Sequence, residues 1–329
     1  MAGRRRALVV THDYPDPDAL AAGWAVVQLL GRKLGVRARL VYGGGIERPE
    51  NQAMVELLGV PAHEITPLDF AGNPAIVTVD TSPGAGNNPL EADEPVAAVL
   101  DSHHPPRAAR AGRAGGRLGS ACTATSTIAA GLCWAARMPL SRMLATALFY
   151  GIKTDTQSLR REATAADEAA YCRLFPLTDP RLLARIEWPP LPRYAYAMLH
   201  RALADARNYG SAVVAAMGRL ESRDGPAEAA DFLSRLAGTR CALAHGYWQG
   251  AEVFSVRTSR HGSEAWRLAR AAAGDEGAAG GHETFAGGSV RADSAAAAAR
   301  AGHRIERRFL WAARTPIRRG GKLISGRMG

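Results

Sequence analysis

The stretch ALVVTHDYPDPDALAAGWAVVQLLGRKL, Ala7 to Leu34, decides how the first half of the chain is read. Ala7–Thr11 is a short apolar run that predicts a buried strand, and Asp18–Leu34 places Leu20, Trp24, Val27 and Leu30 at helical spacing. Between them lies His12-Asp13-Tyr14-Pro15-Asp16-Pro17-Asp18, a connection dense in carboxylates and stiffened by proline. Val36–Tyr42 reads as the next strand, stopped by Gly43-Gly44-Gly45, and Asn51–Leu58 as a short helix. Ala75–Val79 and Val96–Leu100 are further apolar strands, followed by helices over Thr123–Ala136 and Ser141–Gly151. Strands alternating with helices predict an α/β fold whose N-terminal domain is a doubly wound, mostly parallel sheet.

The pattern changes beyond residue 176. Pro180, Pro189, Pro190 and Pro192 predict a connector, taken as residues 177–208 and closed by a helix near Tyr194–Asn208. A smaller C-terminal α/β domain follows over 209–312. Its strands are Ala212–Met217, Cys241–Trp248 and Glu252–Thr258, and its helices Pro226–Leu236, Ser263–Ala273 and Ala295–Phe309, with Gly274–Gly288 a glycine-rich stretch. Residues 313–329 form a basic tail.

Chemistry gathers where strands end. The first strand runs into His12, Asp16 and Asp18, the third ends at Asp80, and the fourth at Asp101-Ser102-His103-His104-Pro105. The apolar segment Ala145–Ile152 likewise runs into Thr154-Asp155-Thr156. In an open parallel sheet these strand ends lie along one edge, where such folds bind ligands. Singly, Asp18 reads equally well as a helix N-cap, and a loop histidine as a solvated side chain. Jointly, so many carboxylates on one edge repel one another unless a cation neutralises them. Oxygen and imidazole donors without thiolate suit manganese or magnesium better than structural zinc. In the second half, Gly280, Gly281, Gly287 and Gly288 would let backbone amides approach a phosphate, with Arg257 and His282 beside them; alone, such a run is a flexible loop.

The bulk composition adds little. A net charge of +10 suggests polyanionic partners, but about seven of those charges fall from Arg304 onward, where a solvated, partly disordered end is expected. Cys122, Cys133, Cys172 and Cys241 have no zinc spacing and read as small buried hydrophobes in a reducing compartment. Arg4–Arg6 precede only Ala7–Val10 before Thr11 and His12, so no secretory leader is expected. Leu118–Ala136 is uncharged but holds five serines and threonines, which favours a buried helix over a membrane span. A cytoplasmic protein without membrane association is expected.

HDYPDPDAL resembles the first motif of the DHH phosphoesterases, HxxxDxDA. VTVDTSP is similar to their second motif, VLDSHHP to the third, with the Asp-His-His that names the family, and GIKTDTQS to the fourth. GGHETFAGG (Gly280–Gly288) and FSVRTS (Phe254–Ser259) resemble the GGH motif and the Arg-bearing strand of the associated DHHA1-type C-terminal domain. The six motifs span roughly residues 7 to 290.

The resemblance implies two divalent cations, manganese ahead of magnesium. His12, Asp16 and Asp80 would hold one; Asp18, Asp80, His103 and Asp155 would hold the other, with Asp80 bridging. His104 would face the substrate phosphate, while Arg257, Gly280, Gly281 and His282 would bind its far end. The implied activity is hydrolysis of short RNA or of 3′-phosphoadenosine 5′-phosphate, of the oligoribonuclease type. A cyclic or linear dinucleotide phosphodiesterase is the alternative, and a non-catalytic RNA-binding protein the reading from another class. A homodimer is compatible with this family. Two departures stand out: Ser102 separates Asp101 from His103, and Gln157 takes a position where glycine is common.

Overall fold

The computed structural model describes residues 5–102, 116–119, 122–160, 163–259, 264–281, 283–315 and 320–324. The chain divides into two compact units, Met1–Pro190 and Leu191–Gly329.

The first unit holds a six-stranded parallel sheet. Its strands are β1 (Arg6–Val10), β2 (Arg37–Tyr42), β3 (Ala62–Glu64), β4 (Ala75–Val79), β5 (Ala98–Leu100) and β6 (Arg117–Leu118), in the order β3-β2-β1-β4-β5-β6. Six helices accompany it: α1 (Pro17–Leu34), α2 (Pro49–Leu58), α3 (Thr125–Ala135), α4 (Arg142–Asp155), α5 (Ala165–Leu174) and α6 (Pro180–Glu187). Strand alternation divides the core. Ala7, Val9, Leu40, Val77 and Val79 pack with Leu20, Trp24, Leu148 and Phe149 of the helices. Leu8, Val10, Val41 and Ile76 face the other way, against Leu90, Val96 and the 3-10 turn residue Phe70.

The second unit is a mixed seven-stranded sheet. Helix α7 (Arg193–Asp205) leads into β7 (Arg207–Asn208) and β8 (Ala212–Arg219), then α8 (Gly225–Leu233), β9 (Cys241–Trp248) and β10 (Ala251–Thr258). Helix α9 (Ala265–Ala273), β11 (Gly277–Gly281), β12 (Phe285–Arg291), α10 (Ala295–Ala312) and β13 (Gly321–Lys322) complete it, in strand order β11-β12-β10-β9-β8-β7-β13. Leu243, Phe254 and Val256 pack under Ile305 and Phe309 of α10, while Val213, Ala215 and Met217 face Leu233 of α8.

Several local expectations are corrected. The proline-rich segment 177–208 contains α6 besides the expected helix, which is α7, because Pro180 takes the first helical turn and Pro192 the N-cap, positions that need no intrahelical N–H donor. The glycine-rich stretch is the hairpin β11–β12, not a loop. Gly281, at φ 146, closes it: a Cβ there would run into Phe285 O and Ala286. The basic tail is not wholly solvated, since Gly321 and Lys322 pair with β7. Cys172 is exposed, whereas the other cysteines are buried. No helix among the described residues is long and apolar enough to cross a membrane.

One buried charge cluster ties α10 to its sheet. His245 of β9 has Nδ1 2.6 Å from Glu252 Oε1 and Nε2 3.0 Å from Glu306 Oε1. Burial lowers its pKa, but the two glutamates outweigh that and raise it to about 9. A histidine raised when folded stabilises fully below its unfolded pKa of about 6.5. That stabilisation is lost as pH rises through 9. Thermal melting of the second unit should therefore fall between pH 7 and 10, and His245→Gln should flatten the slope. An unchanged slope in the variant contradicts the assignment.

Candidate metal centre

From β1 the chain adds β2 and β3 on one side, then crosses back to lay β4 on the other. The crevice at the carboxyl ends of β1 and β4 is thus the topological switch point, where open α/β sheets bind ligands. The Val10↔Thr78 register sets the two following connections side by side. Ligand atoms of His12, Asp16 and Asp80 there lie within 4.8 Å of one another, the one such group among the described residues. His12 Nε2 is 3.5 Å from Asp80 Oδ2 and 3.9 Å from Asp16 Oδ1. Its Nδ1 lies 2.9 Å from Asp13 O, which fixes the ring and leaves Nε2 facing the carboxylates. Asp80 is buried and left-handed, with φ 58, a conformation aspartate tolerates better than most residues.

Burial lowers the His12 pKa, but hydrogen bonding and attraction from Asp16 and Asp80 prevail and hold it well above the ordinary value. Asp18 moves the same way for a different reason: burial, then repulsion from Asp80 and Asp16, push it up to about 8 against hydrogen bonds from Ser126. Among the described residues these carboxylates converge with one imidazole, His12, to offset them. An all-oxygen and imidazole donor set carrying excess negative charge fits a hard divalent cation, which competes with protons for the same lone pairs.

Asp16, rather than Asp18, is the N-cap of α1, accepting from Ala19 N at 2.9 Å. Asp18 is 2% exposed and turned to the start of α3, where Oδ2 accepts from Thr125 N at 2.7 Å and Oδ1 from Ser126 N at 2.8 Å. It therefore sits outside the three-residue group. Asp155 ends α4 one turn beyond Gly151, which abuts the same carboxylate: a Cβ on Gly151 would lie 2.5 Å from Ser126 Oγ and 3.2 Å from Asp18 Oδ1. Residues four apart share a helix face, so Asp155 extends the side of α4 that meets Asp18. Gln157, Ser158 and Leu159 follow in left-handed conformation, φ 47, 58 and 62. The Gln157 position is thus one where glycine would be unstrained.

Asp101 belongs to the scaffold. Its Oδ2 accepts from Ser82 Oγ at 2.8 Å and from Arg117 Nη2 at 3.3 Å, joining the ends of β4, β5 and β6. Ser102, the extra residue, donates its N–H to Thr125 Oγ1 at 3.3 Å. His103, His104 and His282 lie outside the described residues. In the second unit, Gly280 and Gly281 are on β11, the outer strand of the sheet. Arg257 on β10 is held by Asp231, Nε to Oδ1 at 2.5 Å and Nη2 to Oδ2 at 3.0 Å, and by Ser255 Oγ at 2.6 Å.

Sequence reading missed Thr125 and Asp167. Thr125 Oγ1 donates to Asp80 Oδ1 at 2.7 Å, linking α3 to the cluster. Asp167 is fully buried and accepts from Thr123 N at 2.9 Å, Ala124 N at 3.3 Å and Thr127 Oγ1 at 2.6 Å. The signal available was Thr164-x-x-Asp167, a capping box at the start of α5. Its second duty, toward α3, has no local mark. Asp167→Ala would orphan the buried N–H groups of Thr123 and Ala124 and should cost about 3 kcal/mol. Denaturant unfolding checks this, and a midpoint equal to wild type contradicts it.

No family model matches the chain. It is 31% identical over 252 residues to an uncharacterized protein of Methanocaldococcus jannaschii, a match covering 76% of this chain and 52% of that one. The chain thus spans about half the length of the curated relative it matches. Among solved structures, an exopolyphosphatase-related protein from Bacteroides fragilis aligns over 94% of both chains with a TM-score of 0.70 at 12% identity. The protein shares the two-domain α/β fold of that exopolyphosphatase-related protein.

Proposed function

We propose that the chain is a divalent-metal-dependent phosphoesterase of the DHH type, acting on short oligoribonucleotides or 3′-phosphoadenosine 5′-phosphate. The observation that carries the reading is the convergence of His12, Asp16 and Asp80, from two separate connections, at the switch point of the sheet. The order of motifs supports it, as does the fold shared with an exopolyphosphatase-related protein.

His12, Asp16 and Asp80 would hold one cation. Asp18, Asp80, His103 and Asp155 are assigned to a second. Cations bound there supply water of lowered pKa and neutralise charge growing on the phosphoryl oxygens. The protein's part is positioning. Asp13 O orients the His12 ring, Thr125 holds one oxygen of Asp80, and the α3 amides fix Asp18. His104 is assigned to the substrate phosphate, as its ligand or as proton donor to the leaving oxygen. Arg257, Gly280, Gly281 and His282 are assigned to the far end of the substrate, where Arg257 would act from within its pair with Asp231.

Manganese added to chelator-treated protein should raise the melting temperature and restore hydrolysis of bis-p-nitrophenyl phosphate. Ligand binding to the folded state alone contributes about 2.7 kcal/mol at a hundredfold excess over Kd. Asp80→Ala should abolish both the shift and turnover while the far-ultraviolet spectrum is kept. Turnover by wild type without metal, or by Asp80→Ala, refutes the proposal, and a non-catalytic RNA-binding protein would bind RNA without hydrolysing it.

Arg257→Ala separates recognition from architecture. With one partner half exposed, loss of the ion pair should cost only about 1–2 kcal/mol. If Arg257 also grips a remote phosphate, kcat/KM on a dinucleotide should fall roughly tenfold or more while the minimal ester is spared. Equal losses on both substrates would leave Arg257 a structural residue.

A further inference from the structure

A groove of about 740 Å³ lies between the outward face of α9 and the edge strand β11. None of the six motifs accounts for its walls. Trp266, Arg267 and Arg270 line one side; Gly277 and Ala279 form the floor, and Asp275 stands at the turn beyond the helix. Trp266 and Arg270 are four residues apart on α9 and Arg267 and Arg270 three apart, so all three share one helix surface. Trp266 is 38% exposed, so part of its ring faces the groove, and the Arg267 guanidinium lies 5.1 Å from its centroid. Arg267 is paired with Glu264 at 2.5 Å, and nearby Glu276 is taken by Arg304 and Arg308. Arg270 is exposed and makes no ion pair among the described residues. The floor of Gly277-Ala278-Ala279 carries nothing larger than a methyl group, so a planar ring can lie close to the strand.

We infer that this groove is a single-stranded RNA subsite, with a base stacked on Trp266 and its phosphate held by Arg270. An aromatic face and an unpaired guanidinium side by side are the two elements of sequence-tolerant single-strand binding. For its biological role the inference rests on the phosphoesterase reading, since the subsite would hold RNA beyond the cleaved end.

The test measures binding of a fluorescein-labelled five-nucleotide RNA by anisotropy, with full-length protein in EDTA so that no cleavage occurs. Trp266→Leu keeps apolar contact but removes the stacking platform and should weaken binding roughly tenfold. Arg270→Gln should reduce the slope of log affinity against log salt by about 0.7, and Arg270→Lys should restore it. Binding by both variants equal to wild type overturns the inference. So does displacement by an acidic peptide of equal charge that is insensitive to Trp266→Leu. Hydrolysis of bis-p-nitrophenyl phosphate with manganese is measured in parallel on wild type. Hydrolysis with RNA binding indifferent to Trp266 and Arg270 removes the subsite alone. Binding that depends on both residues without hydrolysis removes the metal reading and keeps the subsite.

Discussion

The first unit depends on how the start of α3 is satisfied. Four consecutive N–H groups, Thr123 to Ser126, lead into the first turn of that helix with no intrahelical partner, and the last three are buried. Two carboxylates take them in pairs: Asp167 the first two, Asp18 the next two. Both anions also sit at the positive end of the helix dipole. Burying carboxylates is expensive unless they are hydrogen-bonded, and burying amides is expensive for the same reason. Each side therefore solves the other's problem. The arrangement fixes α1, α3 and α5 relative to one another and leaves Thr125 placed to reach Asp80.

From that constraint the candidate metal centre and the Asp18 carboxylate beside it inherit their precision. Asp18 is locked by α3, Asp80 by Thr125 and by its own left-handed backbone, Asp16 by its capping bond, and His12 by Asp13 O. None of these side chains has to be ordered when a cation or substrate arrives. What stays unresolved within the protein alone is charge, which is why His12 and Asp18 both drift toward holding protons. The second unit handles a similar conflict internally, by placing one imidazolium between Glu252 and Glu306.

The parts legible in the sequence were those carried by local pattern. β1, β4 and β9 are marked by apolar runs, and His12, Asp16 and Asp80 by acidic or imidazole residues directly after such runs. The long-range polar contacts were not legible. Asp18 and Thr125 are separated by 107 positions, and nothing near either one names the other. Asp18 looked like a cap because Asp16 and Asp18 both flank Pro17, and only the backbone tells which one bonds Ala19. Asp101 stands directly after an apolar strand, like the cluster residues, yet serves Ser82 and Arg117. The β11–β12 hairpin was hidden because glycine weakens strand patterning even where close packing demands it.

The wide separation of these partners also sets an order of events during synthesis. Asp18 leaves the ribosome long before Ser126, and until α3 forms its carboxylate has no amides to meet. His12 and Asp16 likewise wait for Asp80 to be laid beside β1. A nascent chain ending before α3 carries acidic residues without their anchors, so the cluster takes its final arrangement only when the sheet and that helix have both emerged. The cluster of His12, Asp16 and Asp80 is in this sense a late product of folding, complete only when the first unit has closed.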